Sequence, residues 1–321
     1  MTYNSFSEII GKLNSAKEVA VFCHVRPDGD ALGAGLALCV ALSNLGKNCT
    51  MCCEDEVPEK FLFLPSMKLV KNALPSEKNF DTFISVDCAD VLRMGIFSDV
   101  FAKFPKTTIN IDHHISNPSY AKYNYVQVCP ASCQIITNLF IEAGYEITKE
   151  IADLLMLGLI TDSGNFTHSD VEAESFTTAA FLRRYGADVS LINYNMFSRQ
   201  PKERAILYGR VMKNMRFALD DKLAMIVISL ADLKETGSDK SLTEGFVDFP
   251  LTVDGVEVAA SLMEVKKCNY KVSLRSKGKV NVNAIASGFG GGGHILASGC
   301  VLFGELEEVI EKLTYAVYQN L

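Results

Sequence analysis

Residues 18–46, with the sequence EVAVFCHVRPDGDALGAGLALCVALSNLG, give the clearest indication of the fold. The apolar run Glu18–Cys23 predicts a short buried strand, and Ala31–Leu45 predicts a helix that ends at Gly46. Strands that alternate with helices predict an α/β domain in which helices cover both faces of a parallel sheet. Similar apolar runs predict three further strands, at 48–53, 82–86 and 107–111.

The length of the chain indicates two domains. Its 321 residues, 48% of them hydrophobic, are sufficient for a sizeable core. We place the N-terminal α/β domain at 1–190 and a helical connector at 191–215. The remaining residues, 216–321, predict a smaller α/β domain. Its strands are expected at 223–229, 256–265 and 270–275, and its helices at 282–286 and 305–318.

The charge of the chain restricts its partners. The formal net charge of −7 argues against a protein that follows long nucleic acids by electrostatic attraction. However, residues 266–279 contain six basic residues and no acidic one. This local concentration of positive charge favours a short anionic substrate over a polymer.

Cysteine content and hydropathy indicate the compartment. Met1–Lys17 lacks the apolar core of a signal peptide, and no apolar stretch is long enough to span a bilayer. Ten cysteines without an export signal indicate reduced thiols. Cys129 and Cys133 have no second pair at zinc-finger spacing, so buried or helix-capping roles are favoured over a zinc site. We expect a cytoplasmic protein with no membrane partner.

Histidine and aspartate residues collect where the predicted strands end. Because the carboxyl ends of parallel strands lie at one edge of a sheet, we expect these side chains to converge. Imidazole and carboxylate groups bind divalent cations, so the pattern predicts a hydrolase with two metal ions. We interpret every segment as a strand end, although the residues before Asp162 also predict a helix, 149–160, and a loop, 161–169. The candidates are His24, Asp28, Asp30, Asp87, Asp112, His113, His114 and Asp162.

Helix capping is the main alternative for these aspartates. Asp28 or Asp30 could cap the helix that follows, and Asp87 could do the same with Asp90 one turn on. Capping explains one carboxylate of the first loop, but neither the second carboxylate nor His24. The combination of segments therefore favours metal binding.

Four segments resemble, in the same order, the motifs of the DHH phosphoesterases. They are HVRPDGDALGA (24–34), VDCADVLRMG (86–95), NIDHHISN (110–117) and GLITDSGNF (158–166). The second half is similar to the substrate-binding domain associated with this family, through VSLRS (272–276) and GFGGGGH (288–294). In chain length and in the residues of these motifs, the sequence is most similar to the branch of bacterial nanoRNases that also act as phosphatases of 3′-phosphoadenosine 5′-phosphate (pAp).

The resemblance implies a role for each candidate. Asp87 would bridge two divalent cations, for which Mn²⁺ is inferred from the family and from metal availability. His114 would face the scissile phosphate, and Asp112 would orient the neighbouring histidines. The remaining ligands would be His24 and Asp28 for the first cation, and Asp30, His113 and Asp162 for the second.

The resemblance also implies that the C-terminal domain grips the substrate. Arginine binds phosphate bidentately, and glycines allow a close approach of the backbone. We expect a cleft with metals on one wall and an anion clamp on the other, and we leave the roles of Arg93, Asp90 and His168 open. The substrate-binding candidates are Arg275, Ser276, Gly291, Gly292 and His294.

The implied activity is two-metal phosphoester hydrolysis. The expected substrates are RNA fragments of a few nucleotides, which give 5′-mononucleotides, and pAp, which gives AMP and phosphate. One alternative is hydrolysis of linear or cyclic dinucleotides or of pyrophosphate at the same metals. A second is a nucleotide-binding regulator without catalysis, against which the complete ligand set argues. The oligomeric state stays open, with a homodimer among the alternatives.

Overall fold

The computed structural model describes residues 4–76 and 79–321. Their internal contacts divide the chain into two compact units, Met1–Arg199 and Gln200–Leu321, and the division lies within the predicted connector 191–215. All ten cysteines are free thiols. No helix in the described ranges is long and apolar enough to cross a membrane.

The first unit contains a five-stranded parallel sheet in the order β2-β1-β3-β4-β5. The predicted parallel sheet is therefore confirmed, although β5 was not predicted. The strands are β1 Glu18–Phe22, β2 Asn48–Cys52, β3 Thr82–Val86, β4 Thr107–Asp112 and β5 Tyr123–Val126. The helices are α1 Phe6–Ser15, α2 Gly29–Asn44, α3 Ser98–Ala102, α4 Ser132–Ala143, α5 Lys149–Asp162, α6 Ala173–Arg184 and α7 Val189–Asn193. Shorter helical turns are Glu59–Phe61, Pro65–Leu69, Val91–Phe97 and Tyr194–Ser198.

Both faces of this sheet are buried, as predicted. Val19 and Val21 belong to the core cluster formed with the apolar sides of α1, α2, α4 and α5. The alternate residues Ala20 and Phe22 belong to a separate, largely aromatic cluster on the other face, where the Phe22 ring meets that of Phe101 in α3 edge to face at 5.8 Å. Alternate side chains of one strand therefore enter two cores, which explains why β1 is apolar throughout.

Glycines allow α2 and α5 to approach closely. A Cβ atom at Gly33 in α2 would overlap the carbonyl oxygen of Leu154 in α5. A Cβ atom at Gly158 in α5 would in turn overlap Asp30 in the first turn of α2. The start of α2 and the end of α5 consequently lie side by side at the carboxyl edge of the sheet.

The second unit is a smaller α/β unit, as predicted. Its six-stranded sheet has the order β10-β11-β9-β8-β7-β6, in which only the β7–β8 pair is parallel. Helices α11 and α12 pack on one face. The strands are β6 Arg216–Ala218, β7 Leu223–Ile228, β8 Val258–Lys266, β9 Asn269–Ser276, β10 Gly292–Gly293 and β11 Ala297–Phe303. The helices are α8 Lys202–Lys213, α9 Leu230–Thr236, α10 Asp248–Leu251, α11 Val282–Gly288 and α12 Leu306–Tyr318, with a short turn at Lys240–Thr243.

Candidate metal centre

The loop after β1 brings an imidazole and a carboxylate to the edge of the sheet. His24 is buried, and its Nδ1 donates a hydrogen bond to the Val25 carbonyl oxygen (2.9 Å), which leaves Nε2 for another partner. Asp28 caps α2, because its Oδ1 accepts from the backbone N–H groups of Asp30 and Ala31, both at 3.0 Å. Its Oδ2 lies 3.5 Å from His24 Nε2. Capping and metal binding are therefore compatible, with one oxygen for each.

Asp87 lies at the centre of the candidate site. It directly follows β3, is 2% exposed, and has a left-handed backbone conformation with φ of 54°. Such a conformation in a residue other than glycine costs about 1–3 kcal/mol and is common at functional sites. Its Oδ2 lies 3.4 Å from His24 Nε2 and its Oδ1 lies 3.2 Å from His113 Nε2. Asp87 thus lies between two sets of donor atoms.

Asp30 is oriented by the first turn of α4. Its two oxygens accept the backbone N–H groups of Ser132 (2.6 Å) and Cys133 (2.9 Å). The N-terminus of a helix carries a partial positive charge, so this arrangement holds the carboxylate in one direction. Burial, together with the charges of Asp87 and Asp162, nevertheless raises the pKa of Asp30.

Asp162 corrects the expectation that every candidate follows a strand. Helix α5 continues to Asp162 instead of giving way to a loop at Thr161. The strand interpretation was wrong because the apolar run 154–160 is the interior of a buried helix. The carbonyl groups at a helix C-terminus carry partial negative charge, which favours a bound cation there. Burial and the charge of Asp87 raise the pKa of Asp162 to about 6.

The two adjacent histidines have different partners. His113 Nδ1 donates to the Cys129 carbonyl oxygen (2.8 Å), so its Nε2 faces the carboxylates. His114 Nδ1 donates to Asp112 Oδ1 (2.8 Å), and the Asn117 side-chain amide donates to Asp112 Oδ2 (2.6 Å). Asp112 is completely buried, so it holds the ring of His114 in one orientation and leaves Nε2 free.

Three overlapping sets of donor atoms are close enough to hold metal ions. Within each set, the three ligand atoms lie within 4.8 Å of one another. The mixture of nitrogen and oxygen donors suits divalent cations, and buried carboxylates at this density require positive charge nearby. The residues present therefore fit a pair of cations, and the first two sets coincide with the two predicted ligand groups. The sets are His24, Asp28 and Asp87; Asp30, His113 and Asp162; and Asp87, His113 and His114.

The imidazoles of the site predict that metal binding is coupled to proton release. Burial opposes ionisation of His24 and His113, but hydrogen bonds to Asp28 and Asp87 raise the pKa of His24, and one to Asp87 raises that of His113, each to about 10. Without a cation both rings are protonated at pH 7, and a cation competes with these protons. We expect Mn²⁺ binding at pH 7 to release protons and the affinity to fall as the pH is lowered. Calorimetric titration in two buffers of different ionisation enthalpy measures this, and equal heats in both would contradict it.

Three residues whose roles were left open lie around the site. Asp90 caps the turn Val91–Phe97 through its side chain. The backbone carbonyl of Arg93 accepts a hydrogen bond from the loop after β1 (2.7 Å). His168 Nδ1 donates to the Asp162 carbonyl oxygen (2.9 Å). Among the described residues, none of these three side chains belongs to a donor set.

The segment Cys129–Cys133 has a role that was not predicted. Its backbone supplies the Cys129 carbonyl oxygen to His113 and two N–H groups to Asp30. The prediction that Cys129 and Cys133 are buried or cap a helix agrees with this position. Nothing in the sequence indicated that the backbone of this segment orients two candidate ligands.

The predicted clamp residue Arg275 lies on an open face of the second sheet. It shares this face of β9 with Lys271 and Ser273, and the three line a cavity of about 550 Å³. Arg275 Nε donates to Asp248 (3.0 Å). Ser276 lies on the opposite face, where it is buried and its hydroxyl accepts from a backbone N–H group (3.0 Å). Because side chains alternate along a strand, Ser276 does not share the cavity with Arg275.

The glycine-rich segment forms a hairpin with β11. Gly291 and Gly292 are exposed, and a side chain at Gly291 would overlap the backbone of β11. The N–H of His294 donates to the Ala297 carbonyl oxygen (2.8 Å), and Ala297 pairs with Arg275 in the β11–β9 ladder. His294 and Arg275 therefore lie at the same end of this sheet.

The sequence matches two described domain families. Residues 18–159 match the DHH family, N-terminal domain, and residues 222–319 match the DHHA1 domain. The bifunctional oligoribonuclease and PAP phosphatase NrnA of Thermus thermophilus is 31% identical over 94% of this chain and 90% of its own length. The probable bifunctional oligoribonuclease and PAP phosphatase NrnA of Streptococcus mutans is 28% identical over 96% of this chain and 98% of its own. A crystal structure of an exopolyphosphatase-related protein from Bacteroides fragilis has a TM-score of 0.82 and 27% identity, and the match covers 98% of this chain and 95% of that one.

Proposed function

Because the chain belongs to the DHH family and is a hydrolytic phosphoesterase, we propose that it cleaves short oligoribonucleotides into 5′-mononucleotides and converts pAp into AMP and phosphate. The names of its relatives state both substrates. The observation that carries the proposal is the position of Asp87 between two sets of metal donors. Two Mn²⁺ ions are the proposed cofactors, and the ten free thiols favour action in the cytoplasm.

When bound, a pair of divalent cations polarises a phosphoryl oxygen and makes a water molecule more acidic. The chain would hold that pair through ligands of which four, His24, Asp28, Asp30 and His113, are already oriented by other hydrogen bonds. Asp87 is the proposed shared ligand. The other proposed ligands are His24 and Asp28 for one cation, and Asp30, His113 and Asp162 for the other.

His114 is the proposed proton donor to the leaving oxygen. Its Nδ1 hydrogen bond to Asp112 holds the ring in one orientation. Asn117 holds the second oxygen of Asp112, so the carboxylate cannot rotate towards another partner. Nε2 of His114 is then the atom that exchanges a proton with substrate.

The second unit is proposed to bind the distal phosphate of the substrate. Arg275 and His294 lie at one end of the sheet, and the exposed glycine backbone at Gly291 and Gly292 leads into His294 along the edge next to β11. The Asp248 carboxylate that pairs with Arg275 is 59% exposed, so a substrate phosphate can replace it at low cost. Ser276 is left out of this proposal because its hydroxyl is buried on the other face.

Arg275→Ala tests this clamp. A charge-assisted hydrogen bond to phosphate contributes roughly 1.5–3 kcal/mol, so kcat/KM on pAp or a dinucleotide is expected to fall about ten- to hundred-fold. Hydrolysis of a small aryl phosphodiester, which lacks a distal phosphate, should barely change. Arg216→Ala, which removes another exposed arginine paired with a carboxylate, is the control. Equal losses on both substrates would indicate that Arg275 supports the fold or the metal centre and does not bind the distal phosphate.

A substrate panel tests the proposed activity as a whole. The purified protein is stripped of metal, reloaded with Mn²⁺ and incubated with pAp, di- to tetraribonucleotides, cyclic dinucleotides and pyrophosphate. We expect metal-dependent release of 5′-mononucleotides from the short RNAs and of phosphate from pAp. Preference for a cyclic dinucleotide or for pyrophosphate would favour the alternative of a dinucleotide phosphodiesterase or a pyrophosphatase. Binding of nucleotides without any hydrolysis would favour a regulator.

A further inference from the structure

A cavity of about 280 Å³ opens beside two of the proposed metal ligands, wholly within the first unit. Asp28, Thr161 and Asp162 form one side, at the junction of α2 and α5. The other side contains Lys60 from the turn Glu59–Phe61 and Phe197 from the turn Tyr194–Ser198. No role was predicted for either residue.

The second side combines a cation with an aromatic ring. Phe197 is 53% exposed, so its ring is not part of the core. It lies on a turn of π-helix, a rare conformation that is frequent at functional sites. Lys60 Nζ lies 5.1 Å from the centre of the Phe61 ring, and its side chain is exposed at the cavity. The two turns contact each other, which keeps the cation and the ring together.

These two groups match the two chemical parts of a nucleotide. A base presents a flat π surface that stacks on an exposed aromatic ring, and its phosphate is attracted by a lysine. Asp28 and Asp162 repel anions unless cations are bound to them. A ligand phosphate therefore enters this cavity only next to the occupied metal centre.

We propose that the cavity binds the nucleoside adjacent to the scissile phosphate, with the base stacked on Phe197 and Lys60 beside the phosphate. This inference rests on the proposed function, because it places a nucleotide at the metal centre. The stacking contact would favour nucleotide substrates, because a phosphoester without a base cannot stack on Phe197. The competing interpretation is that Phe197 and Lys60 are unrelated surface residues.

Binding of AMP to the Mn²⁺-loaded protein, measured by calorimetry, tests the proposal directly. Loss of one base–aromatic stack corresponds to about 5- to 100-fold in affinity, which we expect for Phe197→Ala. Phe197→Tyr should retain affinity, and Lys60→Arg should retain more than Lys60→Ala. Phe176→Ala and Lys68→Ala are matched controls, because both side chains are exposed and lie outside the cavity lining. Unchanged AMP affinity in folded Phe197→Ala would overturn the proposal.

Paired substrates separate this inference from the proposed function. Phe197→Ala should lose kcat/KM on diadenylate, and it should match wild type on the same dinucleotide made without bases. Elemental analysis should find normal metal content, since Phe197 is not a ligand. Equal losses on both substrates, or loss of metal, would overturn the inference. If wild type hydrolyses neither RNA nor pAp while AMP binding still depends on Phe197, the proposed function fails and the nucleotide site stands.

Discussion

Asp87→Ala is expected to reduce kcat/KM on pAp by more than about 10³-fold, because the carboxylate contacts both imidazole donors and is the proposed ligand of both cations. Without it, His24 keeps a carboxylate in Asp28 and His113 keeps one in Asp162, but the carboxylate that contacts both imidazoles is lost. Steady-state hydrolysis in Mn²⁺ measures the loss, and elemental analysis should find less than the full metal content.

The neighbouring Asp90 provides the control for this substitution. Asp90 caps the turn Val91–Phe97, and Asp90→Ala should leave the metal centre intact. Thermal unfolding of both variants shows whether the chain still folds. If Asp87→Ala keeps more than about a tenth of wild-type activity, Asp87 is not the bridge.

His114→Ala is expected to lower kcat by about 10²–10⁴-fold while both metals stay bound, as removal of a proton donor requires. His113→Ala, in contrast, should lose metal, because its Nε2 faces Asp87 and Asp162 at 3.2 and 3.4 Å. Elemental analysis of the two variants distinguishes the roles. The measurement is needed because His114 also belongs to a donor set with Asp87 and His113, which is the arrangement of a metal ligand.

Asp112→Asn provides a second measurement of the same role. Asp112 accepts from both His114 Nδ1 and Asn117, whereas asparagine has one acceptor oxygen and no negative charge. The His114 ring is then held less firmly, so the rate should fall while metal content is preserved. Should the metal be missing from His114→Ala and present in His113→Ala, the two assignments are reversed.

The parallel sheet, and the edge at which the candidate ligands meet, could be predicted because the sequence patterns that indicate them are local. Apolar runs such as Glu18–Cys23 and Thr82–Val86 mark strands, and polar residues that interrupt them directly, such as His24 and Asp87, mark their ends. Parallel order then places those ends together without any knowledge of long-range contacts. This reasoning depends only on residue type and spacing.

The remaining features depend on information that residue type does not carry. Asp162 follows an apolar run that suits a buried strand or a buried helix equally well, and only packing against α2 decides. The segment Cys129–Cys133 orients ligands through backbone groups, which every sequence possesses. Arg275 and Ser276 are adjacent in β9 and so lie on opposite faces, and which of the two faces the cavity depends on the register of the strand.

Three helices meet at the candidate site: α2 is capped by Asp28 and has Asp30 in its first turn, the first turn of α4 holds Asp30, and α5 ends at Asp162. A cation bound there connects segments that are otherwise distant in the chain, so it stabilises the native state as well as the reaction. A ligand at a hundred times its dissociation constant contributes about 2.7 kcal/mol to the free energy of unfolding. Metal starvation should therefore shorten the lifetime of the protein in a cell that degrades unfolded chains, and the amount of enzyme would follow the supply of its cofactor.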